Sequence, residues 1–175
     1  MIEVVCGPMF AGKSERLVDE FQSAASGTAI VVKPAFDDRD GVNLVKSHKG
    51  REVPAIPCHT AGDILHLAAR PVQSVLIDEV QFFGPAILSV VSELHRRGLV
   101  VRCYGLDLDS NGLPFGCMGD LMALANYVVK LFARCSLCGQ WARKTQRTVS
   151  NDSRVFVGGS ESYEPRCDQC WGRSS

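Results

Sequence analysis

Short apolar runs rich in β-branched residues alternate with segments of helical periodicity over roughly the first 130 residues. The runs at 2–6, 29–33, 74–78 and 99–105, with a fifth at 127–133, predict strands. Helices are predicted at 12–26, 60–70, 84–97 and 119–126; in the first, Leu17, Val18, Phe21, Ala24 and Ala25 recur at helical spacing and Gly27 is the stop signal. Val75-Leu76-Ile77 and Leu99-Val100-Val101 are apolar without alternation, as strands covered on both faces must be. The alternation therefore predicts an α/β domain, doubly wound around a mostly parallel sheet, with ligands at the carboxyl ends of the strands.

Two stretches break the pattern. Residues 34–59 carry charge, prolines and a possible hairpin, and residues 107–118 form a Gly- and Pro-punctuated loop after a core strand, a good position for a substrate loop. From Cys135 the chain becomes polar, turn-rich and cysteine-anchored, so the expected division is 1–134 for the α/β domain and 135–175 for a small appendage.

Directly after the first strand stands Gly7-Pro8-Met9-Phe10-Ala11-Gly12-Lys13-Ser14, which fits G-x-x-x-x-G-K-[ST]. Glycines let the backbone fold around an anion so that successive N–H groups face it. The following helix adds its positive amino end, Lys13 reaches the β- and γ-phosphates, and Ser14 can ligate Mg²⁺. The fold expectation thus narrows to the P-loop NTPase type, with a nucleoside triphosphate as a ligand. Val75-Leu76-Ile77-Asp78-Glu79 reads as a buried strand ending in two carboxylates. Asp78 is placed to serve Mg²⁺; the next residue along the extended chain points the other way, so Glu79 can face a second substrate and accept a proton from its attacking hydroxyl.

Eight cysteines divide equally. Cys6, Cys58, Cys103 and Cys117 are scattered, as buried thiols are. Cys135-x-x-Cys138 and Cys167-x-x-Cys170 form two knuckles, the pattern of a closed tetrahedral Zn²⁺ site. The 28 residues between the pairs exceed the usual ribbon gap, so the insert has room for a functional loop. Nineteen basic residues balance nineteen acidic ones, which argues against nucleic acid or an anionic membrane as a partner. With no apolar run near 20 residues and the amino terminus already in a strand, a cytoplasmic protein without membrane association is expected.

Taken together these segments resemble the cytosolic, zinc-containing (type II) thymidine kinases over almost the whole chain. Gly7-Pro8-Met9-Phe10 before Gly12-Lys13-Ser14, Asp37-Asp38-Arg39, Ser47-His48-Lys49-Gly50 and Ile77-Asp78-Glu79-Val80-Gln81-Phe82-Phe83 are similar to that family's motifs, in order. So are Gly105-Leu106-Asp107, Pro114-Phe115-Gly116, Thr145-Gln146-Arg147, Val157-Gly158-Gly159 and Tyr163-Glu164. The resemblance implies ATP-dependent phosphorylation of the thymidine 5′-hydroxyl, with Glu79 as general base and Asp78 serving Mg²⁺. It implies ATP contacts along residues 7–14, Asp37 and Arg39 near the phosphates, and Asp78, Glu79, Val80 and Gln81 beside the nucleoside. Arg154, Val155, Phe156, Val157 and Gly158, with Tyr163, would close over the base as a lid tied down by zinc. It further implies a homotetramer and inhibition by dTTP.

The chain departs from the family where Glu15-Arg16 replace a small hydroxyl residue and glutamate, where Ser110 replaces the phenylalanine that stacks on thymine, and where Asn126 replaces a glutamate. None removes a residue that phosphoryl transfer requires. The alternative reading is a P-loop ATPase with a nucleic-acid-binding zinc module, disfavoured by the neutral charge and the lack of an aromatic-basic stripe.

Overall fold

The computed structural model describes residues 1–37, 41–47, 49–69, 71–149 and 161–173. The first strand, β1 (Ile2–Cys6), leads through the glycine-rich loop into helix α1 (Lys13–Ser23). There follow β2 (Ala29–Pro34), β3 (Leu44–Lys46), β4 (Glu52–Pro54), β5 (Ile56–Cys58), α2 (Ala61–Leu67), β6 (Ser74–Ile77), α3 (Ala86–Arg96), β7 (Val100–Gly105), α4 (Met118–Leu124) and β8 (Tyr127–Lys130). Six of these strands form one sheet in the order β5-β2-β6-β7-β1-β8, with every pairing parallel.

Alternation along each strand sends neighbouring residues to opposite faces. Val5, Val31, Leu76 and Tyr104 meet Leu17 and Val18 of α1 on one side, joined by Val45 and Val53 of the antiparallel β3–β4 hairpin. Val4, Val32, Val75, Ile77 and Val101 meet Ile64, Ile87, Val91, Leu94, Met118 and Leu121 on the other. Both faces are therefore covered, as the unbroken apolar runs require.

The predicted elements differ from the observed ones mostly at their ends. Helix α2 begins one residue late because Thr60 and Asp63 form a reciprocal capping box that sets its start. The fifth strand stops at Lys130, short of 133. Within 34–59 the hairpin is present as β3–β4, and β5 is an additional strand pairing with β2. Its three residues include Pro57, acceptable because β5 lies at the sheet edge. The larger correction concerns Glu79. The strand ends at Ile77, and Glu79 adopts φ 48°, ψ 41°, so the chain is not extended there; a 3-10 turn over Val80–Phe83 follows.

Beyond the sheet, β9 (Ala133–Arg134) pairs with β10 (Trp141–Ala142), and β11 (Lys144–Arg147) with β12 (Tyr163–Arg166), both antiparallel. One cysteine pair follows β9 and the other follows β12. Among the described residues no helix is long and apolar enough to cross a membrane.

Candidate active site

The carboxyl end of β1 passes into a loop whose shape depends on residue type. Gly7 has φ 146°, and a Cβ there would collide with the Leu131 carbonyl oxygen. Phe10 is left-handed at φ 65°, and Gly12, at φ 86°, forms the amino cap of α1 with no side-chain cap bond. The first-turn amides of α1 are thus left without a side-chain cap, as an anion site at a helix amino end requires. Lys13 Nζ donates to the carbonyls of Gly7 (3.0 Å) and Pro8 (2.7 Å). Loss of water around the Lys13 ammonium lowers its pKa, opposed by the fields of Glu79, Asp78 and Asp107.

Those carboxylates come from two neighbouring strands. Asp78 is buried, and its N–H continues the sheet ladder to Val32 O (2.9 Å). Glu79 follows in its left-handed turn, where Gln81 Nε2 donates to Glu79 Oε2 (2.5 Å). Gln81 is itself buried, its Oε1 accepting from Leu106 N at the end of β7 (3.1 Å). A Cβ on Gly105 would collide with that Oε1, so β7 must carry glycine there for the amide to fit. Asp107, two residues on, is buried and paired with Lys130 of β8 (3.3 Å).

Phe36, Phe82 and Phe115 form a row of edge-to-face contacts beside this site, with centroids 5.4 Å apart at each step. Phe36 is exposed and Phe115 buried. The 107–118 loop is pinned by Asp109, whose Oδ1 accepts from Asn111 N and Leu113 N (both 3.0 Å), and by the Leu108–Pro114 bridge. Ser110 lies half-buried at its turn.

The four thiols Cys135, Cys138, Cys167 and Cys170 converge to within 4.8 Å of one another, with Cys138 Sγ and Cys167 Sγ 3.6 Å apart. Zn–S bonds of about 2.3 Å put tetrahedral sulfurs about 3.8 Å apart, so the donor set fits a closed Zn²⁺ site. The remaining cysteines are unpaired and buried, and desolvation raises Cys6 and Cys58 to about 11 and Cys103 to about 12. They are inert thiols.

Of the expected site residues, the loop Gly7 to Ser14, Asp78, Glu79 and Gln81 converge at the carboxyl ends of β1, β6 and β7. Val80 is buried in the core. Asp37 is buried after β2, its N–H donating to Pro34 O (3.1 Å). Tyr163 is buried in β12, with the Arg147 guanidinium 5.7 Å from its ring. Arg39 and Arg154 through Gly158 lie outside the described residues. Sequence reasoning assigned no role to Asp107, although its place two residues past a strand end was a usable signal. Lys130 carried none, being one basic residue in an apolar run.

A family model described as thymidine kinase matches residues 1–171. The match runs from the first strand through the second cysteine pair and so takes in both the phosphate loop and the thiol cluster. On that coverage, 171 of 175 residues, the chain belongs to the thymidine kinase family and is a nucleoside kinase acting on thymidine with ATP.

Proposed function

We propose that the chain transfers the γ-phosphoryl group of ATP to the 5′-hydroxyl of thymidine at the carboxyl ends of β1, β6 and β7. One observation carries the reading: the phosphate loop and Lys13 sit within the field of a carboxylate, Glu79, whose orientation is set by a buried amide. The loop amides and Lys13 hold the triphosphate, and Lys13 offsets charge developing on the transferred group. Glu79 takes the 5′-hydroxyl proton as the new O–P bond forms, while the bond between the γ-phosphorus and the β–γ bridging oxygen breaks and its electrons leave with ADP. Ser14 and Asp78 would hold Mg²⁺, which screens the phosphate charge when bound. Asp37 and Arg39 belong beside the phosphates. The nucleoside lies against Asp78, Glu79, Val80, Gln81, Ser110 and Tyr163, with Arg154, Val155, Phe156, Val157 and Gly158 over the base.

Cys135, Cys138, Cys167 and Cys170 hold a structural Zn²⁺ in a lid module, residues 135–175, distinct from the 1–134 domain. Product control by dTTP, a homotetramer and a cytoplasmic setting complete the reading. Supporting the assembly are exposed apolar side chains on and around the edge strand β8: Tyr127 and Val128 on the strand, Leu124 at the end of α4 before it and Phe132 just after it. The test is a panel of nucleosides with ATP and Mg²⁺, scoring nucleotide formation against ATP hydrolysis. Thymidine-dependent transfer is expected; hydrolysis indifferent to nucleosides would overturn the mechanism.

A further inference from the structure

The phosphate loop does not rest on the sheet alone. Met9 N donates to Thr145 Oγ1 at 3.0 Å, joining residues 136 positions apart, and Thr145 is 2% exposed. The next two loop residues, Phe10 and Ala11, pack against Ala133, Cys135, Ala142, Cys167 and Cys170. Thr145 lies on β11 opposite Pro165, two residues before Cys167, and Pro165 O accepts from Ser136 N (3.0 Å), within the first cysteine knuckle. The hydroxyl that receives the loop is therefore built into the cluster's own scaffold.

A buried N–H without an acceptor is costly, and a left-handed phenylalanine persists only where surrounding contacts over-determine it. The half-buried Met9 N–H finds its acceptor in the buried Thr145 hydroxyl, and the left-handed Phe10 finds its contacts, in residues of the four-cysteine module. We propose that this module positions the phosphate loop: the thiol cluster, acting through Thr145 and the Phe10 contact, presets the loop in the shape that receives a triphosphate. Thr145 is a positioning residue in this scheme. Preorganisation of this kind appears as affinity, because the ordering cost is met before the ligand arrives. The second knuckle also reaches the 107–118 loop: a Cβ on Gly112 would lie 3.2 Å from the Trp171 ring, so that loop and the knuckle are in close contact.

The inference rests on residues 7–14 being the triphosphate site. It is tested by ATP binding without nucleoside, measured by calorimetry on wild type, Thr145→Val, Thr145→Ser and Lys13→Ala. Thr145→Val is expected to weaken ATP about tenfold, equivalent to about 1.4 kcal/mol, with Thr145→Ser restoring most of it. In a second measurement, chelation of the metal from the wild-type chain should speed amide exchange in residues 7–14 while the circular dichroism of the sheet is retained. Wild-type ATP affinity in Thr145→Val, with Lys13→Ala impaired, overturns the inference and leaves the phosphate-loop reading standing. Unchanged ATP binding in Lys13→Ala overturns that reading instead. If Thr145→Val does not fold, the exchange measurement decides: protection at 7–14 that is unaffected by metal removal refutes the coupling.

Discussion

Glu79 occupies a left-handed backbone conformation that costs a side-chain-bearing residue about 1–2 kcal/mol. Such strain persists where the surroundings impose it, and here Gln81 holds the carboxylate while the 3-10 turn begins on the next residue. Glu79→Gln keeps the shape and removes the proton acceptor. It should fold and bind ATP normally with kcat reduced ~10²–10⁴-fold; near wild-type kcat in a steady-state assay would make Glu79 structural. Ser110 poses a different question, since it has no aromatic face to offer. The row formed by Phe36, Phe82 and Phe115 already provides an apolar wall next to Glu79, and Leu113 is exposed on the same loop as Ser110. Ser110→Phe should therefore leave the thymidine KM unchanged or raise it by crowding. A several-fold fall in KM would show that the pocket lacks a stacking surface worth about 0.5–1.5 kcal/mol.

At the scale of elements, the site depends on how closely the end of β7 approaches the turn after β6. Gly105 leaves room for Gln81 Oε1, and the Leu106 N–H then fixes that amide. Gly105→Ala should cost about 1–3 kcal/mol of stability through overpacking and lower kcat by displacing Gln81. In a thermal-denaturation double-mutant cycle, Gln81→Ala should relieve part of the Gly105→Ala penalty; strict additivity would mean the two residues do not share the space. Helix α1 accommodates the chain's departures after the phosphate loop. Arg16 pairs with Glu3 (2.6 Å) and Glu20 (2.8 Å), while Glu15 pairs with Arg51 and Lys49, tying α1 to the β3–β4 hairpin region. Glu15 and Arg16 thus enter two separate sets of ion pairs on α1. Helix α3 was expected from residue 84, yet Gly84, at φ 68°, holds the preceding turn apart from it.

For the molecule as a whole, the parallel sheet supplies a platform and the cysteine module a brace beside it. Purified active protein should contain close to one Zn²⁺ per chain by elemental analysis, and Cys138→Ser should lower that value together with the melting temperature. Retention of full metal and stability would remove Cys138 from the ligand set. If the module positions the phosphate loop, the same variant should lose ATP affinity as well as thymidine affinity, a pattern that a lid serving the nucleoside alone would not produce.

Much of this protein is written in contiguous or regularly spaced residues, and there the sequence was decisive. The loop from Gly7 to Ser14 follows its strand directly, the cysteine knuckles are local turns, and unbroken apolar runs demand a sheet covered on both faces; each signal lies within a few residues of its consequence. What tertiary structure alone decided are meetings between polar groups far apart in the chain. Gln81 reaches Leu106 across Gly105, Thr145 accepts from Met9, Lys130 pairs with Asp107, and the backbone at Glu79 turns left-handed where the strand pattern implied extension. Single hydrogen bonds and ion pairs of this kind have no periodicity and no composition. They arise only when burial leaves a donor or a charge in need of a partner, and the fold determines which residue is within reach.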